Sequence, residues 1–372
     1  MQPLQTKISP SYRRLSQAFA ALRRGESILI RGSNNRAALM RAAEFSDYPD
    51  PQMEEIAQSG TLLCMRRQHI EALGRKASGS RPVFSTPVNA LSQEEILDIT
   101  FGLAQRFPEH VSLLGESQTS LADLATRILR QARLLPTALI AGLTSTDPQH
   151  HNRLATMYAL PIVNAFDSEH HDSQAHWQMT KGIKAKLPLA KAPDSHIVMF
   201  RSEGGDETHF AIIVGQGDVM ENPLVRLHSQ CVTGDVLGSL KCDCGPQLQT
   251  ALAKMTENGG GILLYLAQEG RDIGLMNKIR AYGLQDVGHD TVDANHRLGF
   301  ATDERIFIPA AAMLQQLGVK TVKLMTNNPE KVSQLEAFGI NVEQRVPLVL
   351  ETNAHNEAYL ATKRDRTGHL LD

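Results

Sequence analysis

Ile262-Leu-Leu-Tyr-Leu-Ala-Gln-Glu-Gly-Arg-Asp-Ile-Gly274 is the stretch from which the fold is read. Its first five residues form a continuous apolar run, which predicts a strand buried on both faces. The polar run Gln268–Gly274 follows at once, and ligand groups in α/β folds gather at the carboxyl ends of such strands. Upstream, His209–Val214 and Leu224–Leu227 read as strands, and Leu248, Leu252 and Met255 mark one face of a helix that Gly259-Gly-Gly261 ends. Downstream, Val319–Met325 reads as a strand. Thr326-Asn-Asn-Pro329 then turns into a helix through Phe338, with Pro329 suited to its first position. Gly339 closes that helix, and Val342 to Val349 returns to strand. The alternation predicts an α/β layer architecture.

The front of the chain carries the same signals. Leu15, Ala18, Phe19 and Leu22 recur at helical spacing before Gly25, Ser27–Arg31 is a short buried strand, Ala122–Ala132 is helical, and Thr137–Ala141 is a strand. At 372 residues the chain is long for one core, so two α/β domains are expected. The lysine-rich stretch Met179–Asp194, with Gly182, Pro188 and Pro193, reads as a linker, which places the domains at 1–190 and 191–372. A composition of 42% hydrophobic and 21% charged residues is that of a globular protein. A net charge of -2 provides no global field for nucleic acid or a membrane. Met1–Lys7 lacks the apolar core of a signal peptide, and no apolar run approaches the ~20 residues of a membrane helix, so a cytoplasmic protein is expected.

Three of the four cysteines, Cys231, Cys242 and Cys244, crowd into Arg226-Leu-His-Ser-Gln-Cys-Val-Thr-Gly-Asp … Leu-Lys-Cys-Asp-Cys-Gly245. So little cysteine argues against a disulfide framework and for a thiolate metal site. Three thiolates leave one corner of a tetrahedron for water, as in a catalytic zinc site, unless His228 or Asp243 closes it. His150, His151, His170, His171 and His176 form a looser group without ligand spacing, expected to be solvated loop histidines.

Other polar clusters have two readings each. Glu269 could accept two N–H donors from a guanine edge while Arg271 offers a fork to phosphate, or the pair could be a surface salt bridge. Thr326–Lys331 could be an anion site at a helix N-terminus, or plain capping by Thr326, Asn327 or Asn328. Asp303 and Arg305 would share a face in extended structure, or form an exposed ion pair. Tyr282 can relay a proton, or simply pack half-buried on a helix running from Ile273.

Taken together, His228–Asp235, Lys241–Gly245, Gln268–Arg271, Asn277–Leu284, Asp293–His296, Leu298–Arg305 and Thr326–Lys331 resemble GTP cyclohydrolase II in order and spacing, from about Ile197 to Leu371. That family opens the guanine imidazole ring of GTP and releases formate and pyrophosphate, giving 2,5-diamino-6-(5-phosphoribosylamino)pyrimidin-4(3H)-one, the first step of riboflavin synthesis. The resemblance implies a GTP cyclohydrolase II-like fold with one zinc on Cys231, Cys242 and Cys244, and magnesium with the triphosphate. It implies GTP contacts from Arg226, Leu227, His228, Ser229, Gln230, Gln247, Glu269, Gly270, Arg271, Thr291, Thr326 and Lys331. It also implies Asp303 as proton acceptor, Arg305 as the group attacking the α-phosphate, Tyr282 beside the scissile ring, and a homodimer. Free guanidinium stays protonated, so Arg305 would need Asp303 to take its proton, and electrostatic clamping is the rival role. Three positions depart from the family pattern: Gln230 stands for a glutamate, Pro246 for a bulky residue, and Asp272 for a glycine or asparagine.

Residues 12 to 170 are similar to a degenerate 3,4-dihydroxy-2-butanone 4-phosphate synthase domain. The similarity is carried by Ala20–Ile30, Ala42-Ala-Glu44, Leu134–Ala141 and Pro161–Asp167. The acidic metal loop of that family is here Gly32-Ser-Asn-Asn-Arg-Ala37, and a later catalytic glutamate falls at about Gly142. Without those carboxylates magnesium has no ligands, so this half is expected to be inactive, serving dimerisation or support. Two alternatives remain: a ring-opening relative with another product, which Gln230 favours, and a non-catalytic GTP-binding zinc protein.

Overall fold

The computed structural model describes residues 9–45, 51–172, 179–202, 207–215, 221–348 and 366. His176, Val349, the Met1–Lys7 segment and the end of the resemblance at Leu371 lie outside the described residues. The chain divides into two compact units, one of Ser9–Ser173 with Met276–Asp303, the other containing Gln174–Leu275 and Glu304–Asp372. Each has a seven-stranded sheet, so the α/β expectation holds for both halves.

In the first unit the strands are β1 (Ile28–Arg31), β2 (Ala37–Ala42), β3 (Thr61–Arg66), β4 (Val83–Pro87), β5 (Leu114–Glu116), β6 (Thr137–Gly142) and β7 (Ile162–Asn164). They lie in the order β5-β4-β3-β6-β2-β1-β7. The expected helices are Pro10–Arg23, with Gly25 at φ +77 just beyond it, and Leu121–Gln131. Leu15, Ala18, Leu22, Ala125, Ile128 and Leu129 bury the inner faces of these helices against Ile28, Ile30 and Met40. The substituted acidic loop is a turn between β1 and β2 in which the Gly32 N–H donates to the Arg36 carbonyl at 2.8 Å. His150 and His151 sit on the helix Pro148–Met157, and His170 and His171 on Ala165–Asp172, not in loops. His151 is fully buried, its Nε2 2.8 Å from the Ser145 carbonyl.

In the second unit the strands are β8 (Met179–Lys186), β9 (Ser195–Ser202), β10 (Thr208–Val214), β11 (Leu224–Ser229), β12 (Gly261–Leu266), β13 (Thr321–Met325) and β14 (Asn341–Val346). Their order is β14-β13-β11-β12-β10-β9-β8. β12 lies between β11, parallel to it, and β10, antiparallel to it. That central place is why its side chains are apolar on both faces, all buried except Tyr265, which is half-buried. One face packs Val225, Leu227, Ile262 and Leu264 under the helices Ile308–Gln316 and Pro329–Ala337. The other packs Leu224 and Leu263 under Ala251, Leu252 and Met255 of the helix Cys244–Glu257.

The expected linker is corrected. Met179–Lys186 is strand β8, paired antiparallel with β9 from Met179↔Ser202 to Lys186↔His196. Only Met179 is buried, because β8 is an edge strand whose lysines face water, and such a strand lacks the apolar signature of an inner one. The division between units therefore falls at Ser173, not near residue 190, and Met276–Asp303 packs with the first unit instead of the second. Among the described residues no helix is long and apolar enough to cross a membrane.

Candidate functional site

Three parallel strands, β11, β12 and β13, end at one edge of the second sheet, and the polar segments Ser229–Cys231, Gln268–Arg271 and Thr326–Lys331 leave from those ends. The first two are tied together, since the Gln230 N–H donates to the Leu266 carbonyl at 2.8 Å. After Cys231 the chain makes a π-helical turn, Val232–Val236, and returns to Cys242 and Cys244, the latter opening the helix Cys244–Glu257. Pro246 lies in the first turn of that helix, where its missing N–H leaves no bond unmade.

The sulfurs of Cys231, Cys242 and Cys244 lie within 4.8 Å of one another, and none of the three forms a disulfide among the described residues. The Cys231 and Cys242 sulfurs are 3.7 Å apart. Two thiolates at about 2.3 Å from a tetrahedral zinc would be about 3.8 Å apart, so the spacing fits that ion. The chemistry of the set points the same way. The Cys244 thiol is pushed well above its ordinary pKa by its hydrogen bond with Cys231, then by that with Cys242, then by burial. Three crowded thiols resist ionising together unless a cation joins them. The Gly234 N–H donates to the Cys231 sulfur at 3.3 Å. A Cβ on Gly234 would lie 2.8 Å from the Cys242 sulfur and 3.1 Å from that of Cys231, and one on Gly245 would meet the Gly234 carbonyl at 2.4 Å. The two glycines let the turn and the helix close around the sulfurs. Among the described residues no fourth donor joins the cluster. His228 Nε2 instead faces the Asp235 carboxylate at 3.0 Å, and Asp243 accepts from Gln247 at 2.5 Å.

Asp235 organises the floor of the site. Its carboxylate accepts from the Cys231 N–H at 3.0 Å, from the Tyr265 hydroxyl at 2.8 Å and from His228 Nε2. Register explains the grouping: Tyr265 pairs with His228 of β11 on one side and with Phe210 of β10 on the other. The three rings stack across adjacent strands, with centroids 4.6 Å and 5.5 Å apart. Burial lowers the His228 pKa against the pull of Asp235, so the imidazole is neutral and its N–H points at the carboxylate. Burial and Asp235 together raise that of Tyr265, which stays a hydroxyl donor. The sequence reading missed Asp235, Tyr265, Gly234 and Gly245. The one available signal was Tyr265, a polar tip inside an otherwise apolar strand.

The other expected residues of this unit fall around that floor. Arg226 is buried and donates to the Met325 carbonyl at 3.0 Å and to Gln247 Oε1. Its Nε is buried with no hydrogen-bond partner among the described residues. Burial lowers its pKa to about 10, which leaves it charged at neutral pH. Leu227 is packed in the core, its carbonyl accepting from the Lys331 ammonium at 3.0 Å. Ser229 donates to Gln268 Oε1 at 3.2 Å and accepts from Arg305 at 3.3 Å. Arg305 and Lys331 both lie over the Phe307 ring, at 5.4 Å and 5.1 Å. Glu269 is buried, and its Oε2 accepts from the Val232 N–H at 2.7 Å. That bond braces the cysteine turn. Gly270, Arg271 and Asp272 all have positive φ, at +66, +59 and +75. A glycine or asparagine fits such a position, and aspartate tolerates it less well, so Asp272 adds local strain. Thr326 is buried and accepts from the Asn328 N–H at 3.0 Å, while Asn328 caps the helix Pro329–Ala337 through Glu330 N.

Tyr282, Thr291 and Asp303 belong to the first unit. Tyr282 is half-buried on the helix Leu275–Asp286, with the Lys278 ammonium 5.8 Å from its ring. Thr291 opens the helix Thr291–Arg297 and accepts from Gln285 at 3.3 Å. Asp303 is half-buried in irregular chain.

A family model described as GTP cyclohydrolase II matches residues 180–347. A GTP cyclohydrolase-2 of Azospirillum brasilense is 40% identical over 377 residues, which is 96% of this chain and 94% of the relative. One of Xylella fastidiosa is 37% identical over 96% of this chain and 87% of its own length. One of Shigella dysenteriae is 51% identical over 99% of its own length but only 52% of this chain. Among solved structures, a two-domain 3,4-dihydroxy-2-butanone 4-phosphate synthase from A. baumannii matches with a TM-score of 0.36 and 16% identity, over 91% of this chain and all of that one.

Proposed function

The chain belongs to the GTP cyclohydrolase II family, and on that premise we propose that it opens the guanine imidazole ring of GTP by hydrolysis. Formate and pyrophosphate leave, and 2,5-diamino-6-(5-phosphoribosylamino)pyrimidin-4(3H)-one remains, a product that serves riboflavin synthesis. The observation that carries this reading is the convergence of three cysteine sulfurs, at the spacing of zinc thiolates, where the parallel strands end.

Cys231, Cys242 and Cys244 would hold one zinc, which supplies a Lewis acid able to bring the pKa of water toward neutrality. Asp235 keeps the Cys231 backbone, His228 and Tyr265 in one arrangement beneath it. Glu269 and Gln247 orient the base, and Ser229, Gln230 and Gly270 line its approach. Arg226, Arg271, Thr326 and Lys331 grip the triphosphate with its magnesium, in a site whose buried cations oppose the charge that develops as pyrophosphate departs. Arg305, held near Ser229, acts on the α-phosphate, with Asp303 as its proton acceptor. Tyr282 and Thr291 complete the set that the family resemblance implies. The first unit has no synthase activity, since the β1–β2 turn Gly32–Arg36 contains no carboxylate. A cytoplasmic homodimer completes the proposal, with Val236, Leu237 and Leu240, exposed between the cysteines, as the apolar surface to examine by sedimentation.

Incubation of the protein with GTP, zinc and magnesium, with formate assay and mass spectrometry of the pyrimidine, tests the reading. Formate and the diaminopyrimidine product are expected from the native chain, and neither from Cys242→Ser, which should also lose zinc. Full turnover by a zinc-free Cys242→Ser protein would refute the metal centre. A different pyrimidine would shift the activity to a relative of this reaction.

A further inference from the structure

We propose that the first unit is a positioning element for the ring-opening reaction, holding the segment Met276–Asp303 through Asn277, Arg280 and Arg297. The inference rests on the reading above, which gives Tyr282, Thr291 and Asp303 roles in that reaction. Those three residues lie in a stretch that the family model covers, yet the stretch packs with Ser9–Ser173.

The anchoring is built from buried, directional bonds. The Arg297 side chain donates from Nε to the Gly102 carbonyl at 2.9 Å, from one terminal nitrogen to the Ala72 carbonyl at 3.1 Å, and from the other to the Ala104 carbonyl. Arg297 is buried, and three carbonyl dipoles take the place of water around its charge. Gly102 has φ +69, and a Cβ there would meet the Arg297 carbonyl at 2.6 Å, so the close approach requires a glycine. Two residues on, Gly299 has φ +83 and fits against Pro136 and His69, while its carbonyl accepts from Gln68 at 3.1 Å.

A second anchor lies on the helix Leu275–Asp286. Asn277 is 1% exposed and donates to the Arg133 carbonyl at 2.9 Å, and its own oxygen accepts from Arg280 at 2.7 Å. Arg280 pairs with Glu44 at 2.6 Å and lies 5.1 Å over the Phe101 ring. The Glu44 side chain is 2% exposed, and its other oxygen accepts from the Leu135 N–H at 2.9 Å. Tyr282 follows Arg280 by two residues on the same helix. Asp303 is reached through a further chain of bonds. Asn295 donates to the Ala301 and Thr302 carbonyls, both at 3.4 Å, and His296 meets the Thr302 hydroxyl at 3.1 Å. The approach to Asp303 is thereby laced onto the helix that Arg297 anchors.

Glu44→Gln and Arg297→Ala in the full-length zinc-loaded protein test the inference, with Arg280→Ala and Arg280→Lys as a rescue pair. Formate release gives kcat and KM, and hydrogen–deuterium exchange reads the segment directly. Glu44→Gln keeps the Leu135 bond but removes the charge facing Arg280. It is expected to lower kcat about tenfold with zinc content unchanged. Exchange should speed up in peptides spanning 277–300 and not in peptides spanning 224–271. Arg297→Ala should act in the same direction and more strongly, and Arg280→Lys should recover most of what Arg280→Ala loses. A merely structural role would lower the yield of folded protein and leave kcat per zinc-loaded molecule intact. Native kcat, KM and exchange in both Glu44→Gln and Arg297→Ala would overturn the proposal while leaving the ring-opening reading in place. A native protein that releases no formate would sink that reading instead, and the exchange of 277–300 would then decide the anchoring alone.

Discussion

Replacing Gly234 by alanine isolates the cradle of the cysteine cluster and tests the zinc proposed there. The backbone of Gly234 is not in the left-handed region, so alanine is allowed there by conformation and its effect is steric. The new Cβ would sit 2.8 Å from the Cys242 sulfur, 3.0 Å from the Cys244 Cβ and 3.1 Å from the Cys231 sulfur. Relaxed contacts of such atoms begin at about 3.5 Å, so one sulfur or the turn has to move by roughly 0.7 Å. A metal site tolerates about 0.2 Å in its ligand distances. The displacement exceeds that several-fold and acts on two of the three ligands at once. Zinc affinity should fall by at least the 10–100-fold typical of a disturbed outer shell, about 1.4–2.7 kcal/mol. Formate release should fall in proportion to zinc occupancy. Equilibrium competition with a graded chelator measures the affinity, and circular dichroism with thermal unfolding checks that the second sheet survives. A Gly234→Ala protein that binds zinc as tightly as the native chain and turns over at the native rate would refute the argument that close packing confines these sulfurs.

Asp235→Asn should cost about 1–3 kcal/mol of stability, because an amide cannot accept from Cys231, Tyr265 and His228 together. It should also weaken zinc roughly tenfold, and an unchanged urea midpoint with native zinc affinity would rule the hub out. His69 predicts an acid-sensitive first unit. It is fully buried, bonded to the Ile99 carbonyl at 2.8 Å, and burial lowers its pKa to about 4. An unfolded histidine takes its proton near pH ~6.5, so the stability from the neutral ring is complete above that pH. It is lost as pH falls toward 4, on the order of 3 kcal/mol across the window. Chemical denaturation at stepped pH measures the slope, and a His69→Gln protein should show a flatter one. An identical slope in both would assign the acid sensitivity elsewhere.

Several parts of this protein were legible one segment at a time. The apolar run of β12, the cysteine triplet and the Asn328–Pro329 helix start each depend on residues close in sequence. Strand burial, sulfur ligation and capping are local chemistry, and they appear as local pattern. The lysine-rich Met179–Lys186 was opaque for the opposite reason: an edge strand is defined by the neighbour it bonds, and its own residues match a solvated linker equally well. Asp235 likewise became a hub only when parallel register set Tyr265 beside His228.

The chain's own letters determined two α/β domains, a cluster of three cysteines and the family to which they belong. Tertiary packing decided which half of the molecule holds each proposed site residue. Tyr282, Thr291 and Asp303 read as one block with the cysteines, yet the bonds of Arg297 and Arg280 tie their segment to carbonyls and a carboxylate roughly two hundred positions earlier in the chain. A buried guanidinium must find acceptors wherever the fold supplies them, and no spacing within a motif records where that will be.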